Sequence, residues 1–132
     1  MRFDICDLLR ADASVSNRRL NHGLLGGNVV SVRGDSTCVD AAAATSAAER
    51  LITADGVSAI MGADCSGVTT AILQNVALAN GVVMVSPSAT SPALSTIEDD
   101  GLFFRTAPSD ARQGEVVADI LKDKGISEVA LT

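Results

Sequence analysis

From residue 28 onward, short β-branched runs alternate with longer amphipathic ones. Asn28 to Arg33 (Asn-Val-Val-Ser-Val-Arg) reads as a strand. Asp40 can cap a helix running to about Ala54, where Asp55-Gly56 stops it. Ala41, Ala44, Ala48, Leu51 and Ile52 then share one face, and Glu49 and Arg50 turn to water. Val57 to Met61 is the next strand, and Ser66 can cap a second helix ending at Asn80-Gly81. Its inward face is Val68, Ala71, Ile72, Val76 and Ala79. Val82 to Val85 is wholly apolar, the pattern of a strand buried on both faces. A polar loop, Ser86 to Asp100, leads to a short strand at Leu102 to Arg105. The last helix spans roughly Asp110 to Lys124, with Val116, Val117, Ile120 and Leu121 expected inward and Gly125 at its end. Glu128 to Thr132 begins one more strand.

Repeated β-α-β units with short connections predict an α/β fold, a mostly parallel sheet with helices on both faces. Residues 23–132 form a single α/β lobe on this reading. Residues 1–22 are a segment of uncertain structure: Phe3 to Leu9 fits a strand or half a helix, and Arg18, Arg19, Asn21 and His22 interrupt the apolar pattern.

The chain has 132 residues, room for one domain. It is 47% hydrophobic with a mean hydropathy of +0.30, enough apolar material for a packed core. Three Phe and no Trp or Tyr leave that core to Ala, Val, Ile and Leu. The net charge of −6, with no basic cluster and no aromatic platform, makes a poor nucleic-acid binder. No apolar run approaches the roughly 20 residues that span a bilayer. The start, Met1-Arg2-Phe3-Asp4-Ile5-Cys6-Asp7, does not read as a secretion signal.

In an open parallel sheet, ligands bind beyond the carboxyl ends of the strands. Two loops qualify, Gly62-Ala63-Asp64-Cys65-Ser66-Gly67 and Ser86-Pro87-Ser88-Ala89-Thr90-Ser91-Pro92, and parallel strands deliver both to one edge. They carry hydroxyls, small residues and backbone amides, and the helix-start amides near Gly67 and Val68 favour an anion such as a carboxylate. The plainer alternative is that Ser66 only caps its helix and the Ser-Pro loop is only a turn. Catalytic chemistry is poorly served: the sole histidine, His22, lies in the unpatterned segment, so neither Ser66 nor Ser88 has a base in view. No Cys-x-x-Cys, His-x-x-x-His or glycine-rich phosphate loop implies a metal or cofactor, and none is expected. Glu98-Asp99-Asp100 reads as a solvated charge run. Cys38 and Cys65 each precede a helix on the same rim. A bridge would close a loop of about 28 residues, worth roughly 3.5 kcal/mol in the chain-entropy picture. Two small buried thiols are the alternative, with Cys6 left over.

Several segments, in order, resemble the first lobe of type I periplasmic solute-binding proteins. They are Asp35-Ser36-Thr37-Cys38-Val39-Asp40 and Ala47-Ala48-Glu49-Arg50-Leu51-Ile52. Ile60-Met61-Gly62-Ala63-Asp64-Cys65-Ser66 and Val85 to Pro92 resemble the branched-chain amino-acid-binding branch, as does Phe104-Arg105-Thr106-Ala107-Pro108-Ser109-Asp110 with Gln113-Gly114. The resemblance runs from about Gly23 to Thr132. It implies one incomplete lobe of a two-lobed binding protein that closes on a small ligand and presents it to an ABC permease, in the periplasm or outside the cell. By position it implies that Ser66 bonds the ligand carboxylate, Ser88 lends backbone groups and Thr90 a hydroxyl and an amide, with Ala89 also among the ligand-binding residues. It also implies a Cys38–Cys65 disulfide.

Two departures stand beside it. Residues 1–22 do not match the strand and helix that precede the Leu24-Leu25-Gly26-Gly27 motif, and the second lobe with its hinge is not in the sequence. The expectation is therefore weak amino-acid binding, and self-association through sheet edges left open by a missing central strand. Competing readings are a flavodoxin-like or receiver-type regulatory domain, which wants an acidic pocket and a lysine that are not found, and a truncated product without function.

Overall fold

The structure, a computed structural model, describes residues 2–5 and 30–130. Five strands form one sheet: β1 (Arg2–Ile5), β2 (Val30–Val32), β3 (Ala59–Met61), β4 (Val83–Ser86) and β5 (Phe103–Arg105). Their order is β2-β1-β3-β4-β5, and every pairing is parallel. β1 pairs with β2 on one side and β3 on the other, with Phe3 opposite Ser31 and Ala59. The expected gap at the centre of the sheet is thus corrected. The β-branched runs after residue 28 advertise their own strands, whereas Arg-Phe-Asp-Ile is too short and too charged to do so. Among the described residues the edge strands are β2 and β5. Cys6, His22 and the Leu24–Gly27 motif lie outside the described residues.

Helix α1 (Ala41–Thr53) starts where the sequence places it, because the Asp40 carboxylate accepts the Ala43 N–H at 2.9 Å. Ala44, Ala48 and Leu51 are buried. Ala41 is not: the whole first turn, Ala41 to Ala43, is exposed. Helix α2 begins at Ser66–Ile72, passes through a π turn at Leu73–Ala77 and ends at Leu78–Asn80, where Gly81 takes a left-handed φ of 63°. The extra residue of the π turn shifts the buried stripe onto Leu73, Val76 and Ala77 and carries Ala79 out to solvent, against the 3.6-residue expectation. The N-cap is Cys65 rather than Ser66, and no side chain caps it.

Both helices lie on one face of the sheet, against Ile60, Met84 and Phe103, which the register sets side by side across β3, β4 and β5. On the other face the neighbouring row is Met61, Val85 and Phe104. Val83 and Val85 are only half-buried there, which corrects the expectation of a strand buried on both faces.

Helix α3 (Asp110–Asp123) forms as predicted but buries none of its residues, and beyond its own flanking turns its hydrogen bonds to the rest of the described chain run from its first residue, Asp110, to Thr90. Val116, Val117 and Ile120, expected inward, keep 40%, 46% and 48% of their surface. Residues 126–130 form no strand. Amphipathic spacing specifies a face that needs a partner; it does not supply one. Local terms hold the helix instead: the Ser109 hydroxyl accepts the Ala111 N–H at 3.3 Å, and Arg112 pairs with Glu115 at 2.9 Å. Ile120→Ser is accordingly expected to change unfolding free energy by no more than about 0.5 kcal/mol, where Leu51→Ala costs about 2–5 kcal/mol. Urea midpoints of the two variants test the contrast, and a large loss at Ile120 would mean α3 is packed in solution. Among the described residues no helix is long and apolar enough to cross a membrane.

Candidate functional site

Adjacent parallel strands set the rim. Met61 lies opposite Val85, and the Gly62 N–H donates to the Val85 carbonyl at 2.9 Å, so the two chains leave β3 and β4 together. Gly62 turns away at φ 144°, a region closed to residues with a Cβ.

Ser86, the last residue of β4, is fully buried and knots the loops together. Its hydroxyl donates to the Ala63 carbonyl at 2.6 Å and accepts N–H groups from Ala89 at 3.0 Å and Ser88 at 3.4 Å. Thr69, equally buried, sits within hydrogen-bonding reach of the carbonyls of Cys65 at 3.0 Å and Ala63 at 3.2 Å, closing the first loop from below. Above this knot, the Ser88 hydroxyl meets Asp64, at its carboxylate and at its backbone carbonyl 2.9 Å away.

Ser66 faces the second loop. Its hydroxyl oxygen accepts the N–H groups of Thr90 and Ser91, each at 3.1 Å. Both lone pairs are thereby used, and the hydroxyl proton remains for an outside acceptor. With no cap on α2, the N–H groups of Ser66, Gly67 and Val68 also have no acceptor among the described residues. Four donors thus gather at one helix start.

Thr90 has the opposite polarity. Its hydroxyl donates to Asp110 Oδ2 at 2.9 Å, and the Asp110 N–H returns to the Thr90 carbonyl at 2.9 Å. The Thr90 side chain therefore presents lone pairs. Arg105 fixes the loop from β5, its Nη1 donating to the carbonyls of Ser91 at 2.8 Å and Ala89 at 3.2 Å.

Cys65 is joined to Cys38 by a disulfide, with Cα atoms 5.3 Å apart. Both sulfurs and the Asp64 carboxylate lie within 4.8 Å of one another, but in the bridge the sulfurs are no thiolate ligands.

The structure thus brings Ser66, Ser88, Ala89 and Thr90 to one rim. It also changes their parts. Ser66 is not a cap but an acceptor for the opposite loop. Ala89 is buried with its N–H and carbonyl both engaged, and the Thr90 amide is taken by Ser66. Sequence reasoning passed over Ser86, Thr69 and Arg105 as organisers and Asp64 and Asp110 as hydroxyl partners. Arg105 and Asp110 carried a signal through the Phe104–Asp110 motif, as Asp64 and Ser86 did through the two loop motifs; Thr69 carried none. Among the described residues, the hydroxyl–carboxylate pairs of the rim are Ser88 with Asp64 and Thr90 with Asp110, and Ser66 has no base as a hydrogen-bond partner. Such a surface can sort donors and acceptors on a small polar molecule without breaking a bond in it.

Comparison with known proteins agrees with this picture. Residues 11–131 match the family described as receptor family ligand binding region. The substrate-binding protein BasB of a chemotactic signal transduction system from Halobacterium salinarum is 37% identical over 115 residues, 85% of this chain and 27% of that protein. A leucine-, isoleucine-, valine-, threonine- and alanine-binding protein from Pseudomonas aeruginosa is 34% identical over 130 residues, 92% of this chain and 33% of its own length. Among solved structures, the branched-chain amino acid transporter substrate-binding protein LivJ from Streptococcus pneumoniae, in complex with isoleucine, superposes with a TM-score of 0.70 at 26% identity. That match covers 93% of this chain and 37% of the other. An ABC transporter substrate-binding protein from Desulfitobacterium hafniense, complexed with Leu, shares the fold at a TM-score of 0.76 and 21% identity, over 95% and 38% of the two chains. The chain spans about a third of the length of these curated relatives.

Proposed function

The chain belongs to the receptor family ligand binding region, and from that premise we propose that it is the first lobe of a solute-binding protein serving an ABC importer. The rim holds the head group of a small aliphatic amino acid, of the kind named for the Pseudomonas aeruginosa protein and bound as isoleucine in LivJ, and catalyses nothing. The observation that carries this reading is Ser66, whose hydroxyl keeps only its proton to offer beside three uncapped amides. That is a receptor for a carboxylate. Thr90, turned into an acceptor by Asp110, suits the ammonium. An ABC permease is the partner of the complete protein, and the Cys38–Cys65 bridge fits the periplasm or the cell exterior.

The 132 residues by themselves are expected to hold leucine weakly, because Ser66, Ser88 and Thr90 on this rim are half-buried rather than enclosed. NMR titration of the chain tests the assignment. Leucine and isocaproate, which lacks the amino group, are expected to shift the amides of Ser66, Gly67 and Val68, while isopentylamine, which lacks the carboxylate, leaves them alone. Asp110→Ala is expected to weaken leucine by about tenfold or more, the worth of one charge-assisted hydrogen bond, and to leave isocaproate unchanged. Rim amides that ignore leucine altogether would refute the assignment.

A further inference from the structure

Three consecutive residues hold three separate pieces of the rim. Asp64 accepts the Ser88 hydroxyl, Ser66 accepts the Thr90 and Ser91 amides, and between them Cys65 is tied to Cys38. Cys65 is also the N-cap of α2, and no side chain caps it. The covalent tether therefore acts at a helix start that no side chain caps. At the far end, Thr37 and Cys38 sit at φ 55° and 74°, left-handed values that a β-branched residue adopts only under constraint. Local bonds from Asp35 to the Thr37 N–H at 2.8 Å, and between the Thr37 hydroxyl and Asp40 at 3.1 Å, stiffen that loop. A stiff loop bonded to an uncapped helix start sets where the next residue, Ser66, stands.

We propose that Cys38 is a positioning residue for the ligand rim, acting through Cys65, and that the bridge makes the rim sensitive to redox state. The claim rests on the rim being the carboxylate site proposed above. Cys38 is exposed and Cys65 half-buried, so the sulfur within reach of a reductant is Cys38. A thiolate of an external dithiol attacks Cys38 Sγ, and the S–S electron pair leaves with Cys65 Sγ, which takes up a proton. The reductant's second thiol then displaces Cys38 Sγ, which is protonated in turn, and the dithiol departs as its own disulfide. Two electrons and two protons pass to the protein. Released, Cys65 is no longer held to the stiff Thr37–Cys38 loop, and Ser66 loses the register that meets Thr90 and Ser91.

The test is hydrogen exchange read by NMR on the chain in a Cys6→Ser background, oxidised and then reduced with dithiothreitol. The Thr90 and Ser91 amides are expected to exchange about tenfold faster after reduction, while the Met84 amide, bonded to the Leu102 carbonyl at 2.8 Å in the sheet, changes far less. Leucine affinity is expected to fall in parallel, Cys38→Ala to copy the reduced state, and reoxidation to restore both readouts. Unchanged Thr90 and Ser91 amides overturn the proposal. So does an equal rise at Met84, which would make the bridge a general stabiliser. If the oxidised chain ignores leucine while the two amides still respond to reduction, the ligand assignment fails and the positioning by Cys38 stands.

Discussion

Ser66→Ala is expected to weaken leucine binding by more than about tenfold and to lower stability by roughly 1–3 kcal/mol, the usual range for unsatisfied donors. Two losses add. The Thr90 and Ser91 N–H groups lose their common acceptor, and the half-buried loop offers them none in exchange. The ligand loses a hydroxyl donor to a charged carboxylate, a bond worth about 1.5–3 kcal/mol, and 1.4 kcal/mol is already a factor of ten. Ser66→Thr keeps the oxygen and separates the two: it is expected to preserve the loop and most of the affinity. Calorimetric titration with leucine, run beside urea unfolding, checks both. If the alanine variant binds leucine as well as the parent does, Ser66 is a structural residue and the carboxylate site lies elsewhere.

The sequence made the framework legible where the signal is local. Asp40 as a cap, Gly81 as a left-handed stop and the stripe of Ala44, Ala48 and Leu51 each depend on neighbours within a few residues. It failed where the deciding partner is distant. A serine at a helix start looks the same whether it caps the helix or accepts from a loop, and the amides bonded to Ser66 lie 24 and 25 residues away. The periodicity of α3 correctly announced a helix with an apolar face, but no periodicity reveals that the described chain holds nothing to cover it. The π turn in α2 illustrates a third kind of failure. Leu73 to Ala77 have no composition that distinguishes a five-residue turn from an ordinary one, yet the turn decides that Ala77 is buried and Ala79 is not. The convergence of the two loops was legible because it follows from parallel pairing alone.

Ser86 tests whether that convergence depends on strand pairing or on the knot beneath it. The side chain is fully buried at the end of β4 and contributes one donor and one acceptor to three contacts across the two loops. Ser86→Ala leaves the Ala63 carbonyl to Thr69 at 3.2 Å and strips the Ala89 amide of its partner inside the protein. A buried orphan of that kind costs about 1–3 kcal/mol. Leu73→Ala, a cavity of similar cost at about 2–5 kcal/mol, damages the core under α2 without touching the rim. The pair is thus matched in stability and unmatched in site geometry. If the knot sets the rim, Ser86→Ala weakens leucine well below what the folded fraction accounts for, whereas Leu73→Ala binds in proportion to the protein that remains folded. Equal affinity per folded molecule in both variants would assign the geometry to β3–β4 pairing and leave Ser86 as a filler of hydrogen bonds.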